Sequence, residues 1–128
     1  MARHVPPAPT EGELAILNIL WQQGASTVRQ VHESLRGNGN TRYTTTLKQL
    51  QVMAEKRLVD RDDSQKSHVY SAAIEESGTK RTLVAGVIDR VFDGSVQKMV
   101  LHALEARDIA DEELDEIKRM LVEREKRK

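Results

Sequence analysis

A chain of 128 residues with 38% apolar side chains makes one domain of ordinary size or two small ones, and with one Trp, two Tyr and one Phe its core must be built from Leu, Val and Ile. Cysteine is absent, which excludes disulfides, thiolate catalysis and thiolate metal sites together. Twenty basic residues balance twenty acidic ones, so net charge points to no polyanion and only the distribution of charge is informative.

Residues 1–9 are Pro-rich and predict a poorly ordered arm, with Arg3 and His4 read as solvated tail residues. The arm lacks the apolar core of a secretory signal, and no apolar run is long enough to span a bilayer. The expectation is a cytoplasmic protein with no membrane insertion. Thr10-Glu11-Gly12-Glu13 then forms a capping box, in which hydroxyl and carboxylate each satisfy an orphan backbone donor. The helix it opens runs to about Gln23, with Leu14, Ile16, Leu17, Leu20 and Trp21 on or near the buried stripe, and Gly24 ends it. Trp21 reads as a core anchor.

Ser26-Thr27 caps a second helix that ends near Leu35 and turns Val28, Val31 and Leu35 inward. His32 has no metal-ligand partner at helical spacing and reads as a boundary residue. Residues 36–40 are a Gly/Asn loop, and a third helix starts at Thr41 or at Tyr43-Thr44. At about 100° per residue, Tyr43, Leu47, Leu50, Met53 and Ala54 share one stripe facing a core. Thr44, Thr45 and Lys48 point the other way, flanked by Gln49 and Gln51, and no acid occurs before Glu55.

Alternation follows. Leu58-Val59-Asp60-Arg61-Asp62 and Ser67-His68-Val69-Tyr70-Ser71-Ala72 predict two strands joined by Asp63-Ser64-Gln65-Lys66 as a tight turn. Three helices and a hairpin are the layout of a winged helix-turn-helix, whose third helix enters a DNA major groove while the hairpin lies along the neighbouring backbone or minor groove. Hydroxyls and amides on such a helix meet phosphates or base edges, and a lysine reaches phosphate or guanine acceptors. The candidate DNA-binding residues are therefore Thr44 and Thr45 for base readout, and Arg42, Lys48 and Lys66 for phosphates, with Tyr43 at the helix entrance. Between residues 41 and 70 six basic residues face four acidic ones, so any affinity from one copy is small and two copies are required. The alternative is a winged helix used for protein contacts without a DNA target.

From Glu75 the pattern is helical again. Leu83, Val84, Val87, Ile88 and Val91 form a wide stripe ending at Phe92-Asp93-Gly94. Ser95 caps a helix carrying Val96, Met99, Val100, Ala103 and Leu104, and a last helix from Asp111 carries Leu114, Ile117 and Leu121. The acids of that last helix crowd its N-terminal end and its bases the other, which complements the helix dipole and accounts for the basic tail without nucleic acid. Three short helices in about 50 residues rarely enclose a core alone. A second copy of the chain, related by two-fold symmetry, is the simplest partner.

Catalysis finds no support: His4, His32, His68 and His102 are scattered, and neither a nucleophile elbow nor a glycine-rich phosphate loop occurs. No cofactor or metal is expected. The architecture read from the sequence is mainly α with a small β-hairpin wing: an arm over residues 1–9, a winged helix DNA-binding domain over 10–74 and a helical dimerisation domain over 75–128.

Several ordered groups resemble the penicillinase-repressor family of bacterial transcription regulators. They are Pro9-Thr10, Glu13-Leu14-Ala15-Ile16-Leu17, Leu20-Trp21, Gly24 and Thr27-Val28-Arg29-Gln30-Val31-His32. Tyr43-Thr44-Thr45, Leu50, Glu55-Lys56, Leu58-Val59, Ser67-His68-Val69-Tyr70, Val91-Phe92-Asp93-Gly94-Ser95 and Glu112-Glu113-Leu114 with Ile117 continue the set, from about residue 9 to residue 122. The resemblance implies a homodimeric repressor on a palindromic double-stranded DNA operator, often controlling β-lactam resistance. It also implies a membrane-linked zinc metallopeptidase sensor as a partner. In the best-known branch that peptidase cuts an Asn-Phe pair, which this chain replaces with His102-Ala103. Copper sensing through C-terminal cysteines is excluded.

Three departures from the family pattern have physical consequences. Arg57 stands where a glycine usually follows the third helix, which predicts either a left-handed Arg57 or a differently ended helix. Gln65 replaces a wing glycine and predicts a looser tip. Thr46 replaces a buried valine, and its hydroxyl is expected to bond back to a carbonyl one turn earlier.

Overall fold

The computed structural model describes residues 6–35 and 42–127. The expectations for Arg3, His4, the loop at 36–40 and Thr41 lie outside the described residues. The elements in order are α1 (Glu11–Gln23), β1 (Ser26–Thr27), α2 (Val28–Leu35), α3 (Tyr43–Glu55), β2 (Val59–Asp62), β3 (Val69–Ala72), α4 (Glu76–Phe92), α5 (Val96–Ala106) and α6 (Asp111–Lys126). They fall into two compact units, residues 1–83 and 84–128.

The first unit starts on the predicted capping box. The Glu13 N–H donates to Thr10 Oγ1 at 3.2 Å and the Thr10 N–H donates to Glu13 Oε1 at 3.0 Å. A second reciprocal cap, beyond the Ser-Thr cap expected there, opens α2: Gln30 N–H donates to Thr27 Oγ1 at 3.2 Å and Thr27 N–H to Gln30 Oε1 at 2.8 Å. Gly24 ends α1 with φ of 81°, a left-handed angle that suits glycine.

The core of this unit is a single cluster. Ile16, Leu17 and Leu20 of α1 meet Val28 and Val31 of α2, Leu50 and Met53 of α3, and Leu58, Val59 and Tyr70 of the sheet. Trp21 packs against the cluster half-buried, its Nε1–H donating to the Ile74 carbonyl at 3.0 Å and its ring lying 5.5 Å from Lys80 Nζ. The first turns of α4 are thereby tied to α1. Three helices and three strands therefore enclose a core of their own in this unit.

The wing differs from its prediction in two ways. It is a three-stranded antiparallel sheet in the order β1-β3-β2, because Ser26 pairs with Tyr70 and Thr27 with Val69 beside the expected hairpin. The connection between β2 and β3 is also longer than a tight turn, since pairing stops at Asp62 opposite Val69. Asp62 Oδ1 accepts from the Ser64 N–H at 2.9 Å, and this hydrogen bond holds the Asp62 carboxyl below its ordinary range.

The helix α3 ends with Arg57 at φ of 64°. Leu58 N–H donates to Met53 O at 2.9 Å and Arg57 N–H to Ala54 O at 3.1 Å, the paired bonds of a Schellman motif. The first of the two expected outcomes at Arg57 therefore holds. The chain keeps the glycine-type ending without the glycine because Leu58 and Met53, which the motif brings together, are both fully buried.

The second unit contains the rest of α4, then α5 and α6. Ser95 caps α5 as predicted, its Oγ accepting from the Lys98 N–H at 3.1 Å. None of these helices carries a buried residue among those described. Ten of the eleven exposed large hydrophobics among the described residues lie here, including Val91 at 64% and Leu121 at 62% exposure. No helix is long and apolar enough to cross a membrane among the described residues.

Candidate nucleic-acid interface

The helix α3 is the element with two distinct faces. Thr46, Leu50 and Met53 are fully buried, whereas Thr44, Thr45, Lys48, Gln51 and Glu55 are exposed. Leu47 and Ala54 are half-buried as the stripe predicts, but Tyr43 is 40% exposed and does not belong to the core stripe. It sits at the first turn, before the helix has descended onto the core, and lies against α2. Its ring meets His32 edge-on at 5.7 Å between centroids and receives the Arg29 guanidinium at 5.6 Å.

Thr46 packs inside, as expected. Its hydroxyl does not bond back along α3, however: Oγ1 shares a hydrogen bond with His32 Nδ1 at 3.1 Å, and the bond to the carbonyl one turn earlier is made by the Thr46 backbone N–H, which donates to Arg42 O at 3.1 Å. A buried hydroxyl needs one partner, and the imidazole of α2 supplies it. His32 is thus the tie between α2 and α3, a role that spacing within α2 could not reveal.

Two further contacts fix how α3 sits against α1. Lys56 Nζ donates to Glu13 Oε2 at 2.7 Å, an ion pair whose carboxylate is only 6% exposed. Burial alone raises the Glu13 pKa. The hydrogen bonds from Lys56 and Thr10 outweigh it and leave that carboxyl below its ordinary range. At Gly12 an added Cβ would stand 2.9 Å from Gln49 Nε2, so the tip of the Gln49 side chain reaches from α3 to α1 where α1 has no side chain.

The structure separates the six sequence-predicted residues into two groups and one outlier. Thr44, Thr45 and Lys48 line one open hollow together with Thr10, Glu13 and Gln49, on the α1 side of α3. Tyr43 and Lys66 line another with Arg29, Thr27, Ser67 and His68, between α2, α3 and the wing. Arg42 is exposed at the N-cap of α3, where its side chain makes no capping hydrogen bond. Thr10 and Arg29 line these hollows although spacing did not single them out for the site, because the register of α1 and α2 on α3 is set by tertiary packing. The only local signal was the basic residue two positions after the Thr27 cap.

Helices α1 to α3 with an antiparallel wing define a winged helix-turn-helix, here followed by a helical unit with an uncovered apolar surface. The sequence profile described as Penicillinase repressor matches residues 9–123. The chain belongs to the penicillinase repressor family, whose members are transcriptional repressors and not enzymes. It is 31% identical to the transcriptional regulator BlaI of Mycobacterium tuberculosis (strain ATCC 25618 / H37Rv) over 113 residues, covering 87% of this chain and 80% of that one. It is 22% identical to the methicillin resistance regulatory protein MecI of Staphylococcus aureus (strain N315) over 112 residues, 88% and 91% of the two chains. With the penicillinase repressor of Bacillus licheniformis it shares 23% identity over 122 residues, 95% of each. The fold is similar to the solution structure of the DNA binding domain of the repressor BlaI, with a TM-score of 0.51 over 59% of this chain and 92% of that one at 19% identity.

Proposed function

We propose that this protein represses transcription as a cytoplasmic homodimer, each copy laying α3 in the major groove of one half of a palindromic operator. Thr44 and Thr45 read bases, Arg42, Lys48 and Lys66 hold phosphates, and Tyr43 stands at the helix entrance. Residues 10–74 form the DNA-binding domain and residues 75–128 the dimerisation domain. The two copies of α3 reach half-sites about one helical turn, ~34 Å, apart. A membrane-linked metallopeptidase sensor is one candidate for ending repression and release by a small ligand the other, since α5 carries His102-Ala103 in place of an Asn-Phe pair.

The observation that carries this reading is the exposed side of α3. Its first two turns offer solvent two threonines and a lysine with no acid, while Thr46 and Leu50 on the opposite side are fully buried. Arg42 supports it as well: a cation at a helix N-terminus opposes the macrodipole, and a Ser or Asp would cap better. A residue that breaks a local rule at an exposed position points to a ligand. The uncovered apolar residues of the second unit supply the surface for a second copy.

A mobility-shift titration on the DNA upstream of the protein's own gene tests the reading. Lys48→Ala is expected to weaken specific binding and to flatten the slope of log affinity against log salt by about 1, the share of a single phosphate. An unchanged slope removes Lys48 from the backbone. Absence of any shift with the unaltered protein returns the protein-contact alternative.

A further inference from the structure

The hollow between α2, α3 and the wing has a composition unlike the chain as a whole. Of its eight lining residues none is acidic, three are basic or imidazole (Arg29, Lys66, His68) and three carry hydroxyls (Thr27, Tyr43, Ser67), in a chain whose charges sum to zero. Asp63 approaches its edge, 3.7 Å from His68 Nε2, but that carboxylate is already paired with Arg61 Nε at 2.8 Å. Arg29 is held in place by the Tyr43 ring, 5.6 Å from its centroid, which limits the rotamers that a long cation would otherwise lose on binding.

The position of this hollow gives it a use. A helix with its side chains is about 10–12 Å across and the major groove is about 12 Å wide. A helix seated there leaves both walls of the groove, each a phosphate backbone, to whatever the protein places beside it. On the α1 side of α3 those groups are Thr10, Thr45 and Lys48. On the other side they are Arg29, Lys66 and His68.

We propose that this second group is a phosphate clamp: Arg29 from α2 and Lys66 and His68 from the wing close on one stretch of duplex backbone, with Tyr43 beneath them. Arg29 and His68 thereby join the DNA-contacting set, and the wing grips the duplex together with α2. The proposal rests on the DNA-binding reading and adds to it which backbone strand the wing side holds. Arg29 and Lys66 have no carboxylate among the residues lining the hollow, and the Arg29–Tyr43 contact is an exposed one, so removing either cation leaves the fold nearly as stable as before.

Phosphate contacts do not depend on sequence, so a short fluorescent duplex of arbitrary sequence serves as probe for the full chain. Anisotropy titrations between about 50 and 200 mM salt give the slope. Arg29→Gln and Lys66→Gln are each expected to flatten it by about 0.9 for every phosphate the side chain had neutralised. His68→Ala weakens binding, Arg29→Lys restores the slope, and every variant remains folded at the assay temperature. An Arg29→Gln slope equal to that of the unaltered protein overturns the clamp while leaving the DNA-binding reading intact, with Lys48→Ala as the internal control. No binding of any duplex by the unaltered protein overturns both. If inorganic phosphate shifts the Arg29 Nε–H resonance and the duplex does not, the hollow is a free-anion site and the backbone assignment is wrong.

Discussion

Arg57 stands in a left-handed conformation at φ of 64°, where a side chain with a Cβ costs roughly 1–2 kcal/mol relative to glycine. The two hydrogen bonds that close α3 and the burial of Leu58 against the core leave the backbone no other path. Arg57→Gly should therefore raise the free energy of unfolding by about 1 kcal/mol, read as a higher denaturant midpoint at constant slope. A lower midpoint would mean that the arginine side chain contributes more than its backbone costs. Glu13 offers a second test at this scale. Because the folded protein holds its carboxyl below the ordinary value, the ionised form stabilises the fold above that ordinary value. The contribution is lost as pH falls through the lowered one. The unaltered protein should thus lose stability on acidification below about pH 4 more steeply than Glu13→Gln. Parallel acid limbs for the two proteins would contradict the pair with Lys56.

Among the elements, α3 shows the conflict between folding and binding most directly. Its N-cap is Arg42, without a side-chain hydrogen bond to the first turn. Arg42→Ser should cap the helix and raise stability by about 1 kcal/mol, while weakening DNA binding because a phosphate is no longer neutralised. Melting curves and an anisotropy titration on the same sample check both. Stability and affinity rising together would remove Arg42 from the interface. The caps of α1 and α5, the Gly24 stop and the inward-facing Ile16, Leu17, Leu20, Val28, Val31, Leu50 and Met53 were legible in the sequence, because each is written in neighbouring residues. What was not legible depended on groups distant along the chain. Strand β1 is two residues long and exists only because β3 pairs with it across the unit. Tyr43 fits the apolar spacing of α3, yet α2 draws it aside through Arg29 and His32. Thr46 could be placed inside from the family resemblance, where a valine usually stands, but its partner His32 could not.

For the molecule as a whole, the contrast between the two units matters most. The first has a closed core, and the second has Val91, Val96, Leu101, Met120 and Leu121 open to solvent. Exposed apolar surface on that scale marks an interaction site. Leu121→Asp should therefore yield a monomer by light scattering with the near-ultraviolet signal of Trp21 unchanged, since Trp21 lies in the first unit. A dimer that persists in this variant would move the contact away from α6. The proposed repressor requires two copies on one operator, because the region from residue 41 to residue 70 carries an excess of only two basic residues and each phosphate contact is screened by salt.

Sedimentation of the full chain with a single duplex taken from upstream of its own gene measures that requirement directly. The expected species is a complex of two chains per duplex, formed cooperatively and abolished in Leu121→Asp. Saturation at one chain per duplex, or no complex at all, would contradict a paired repressor.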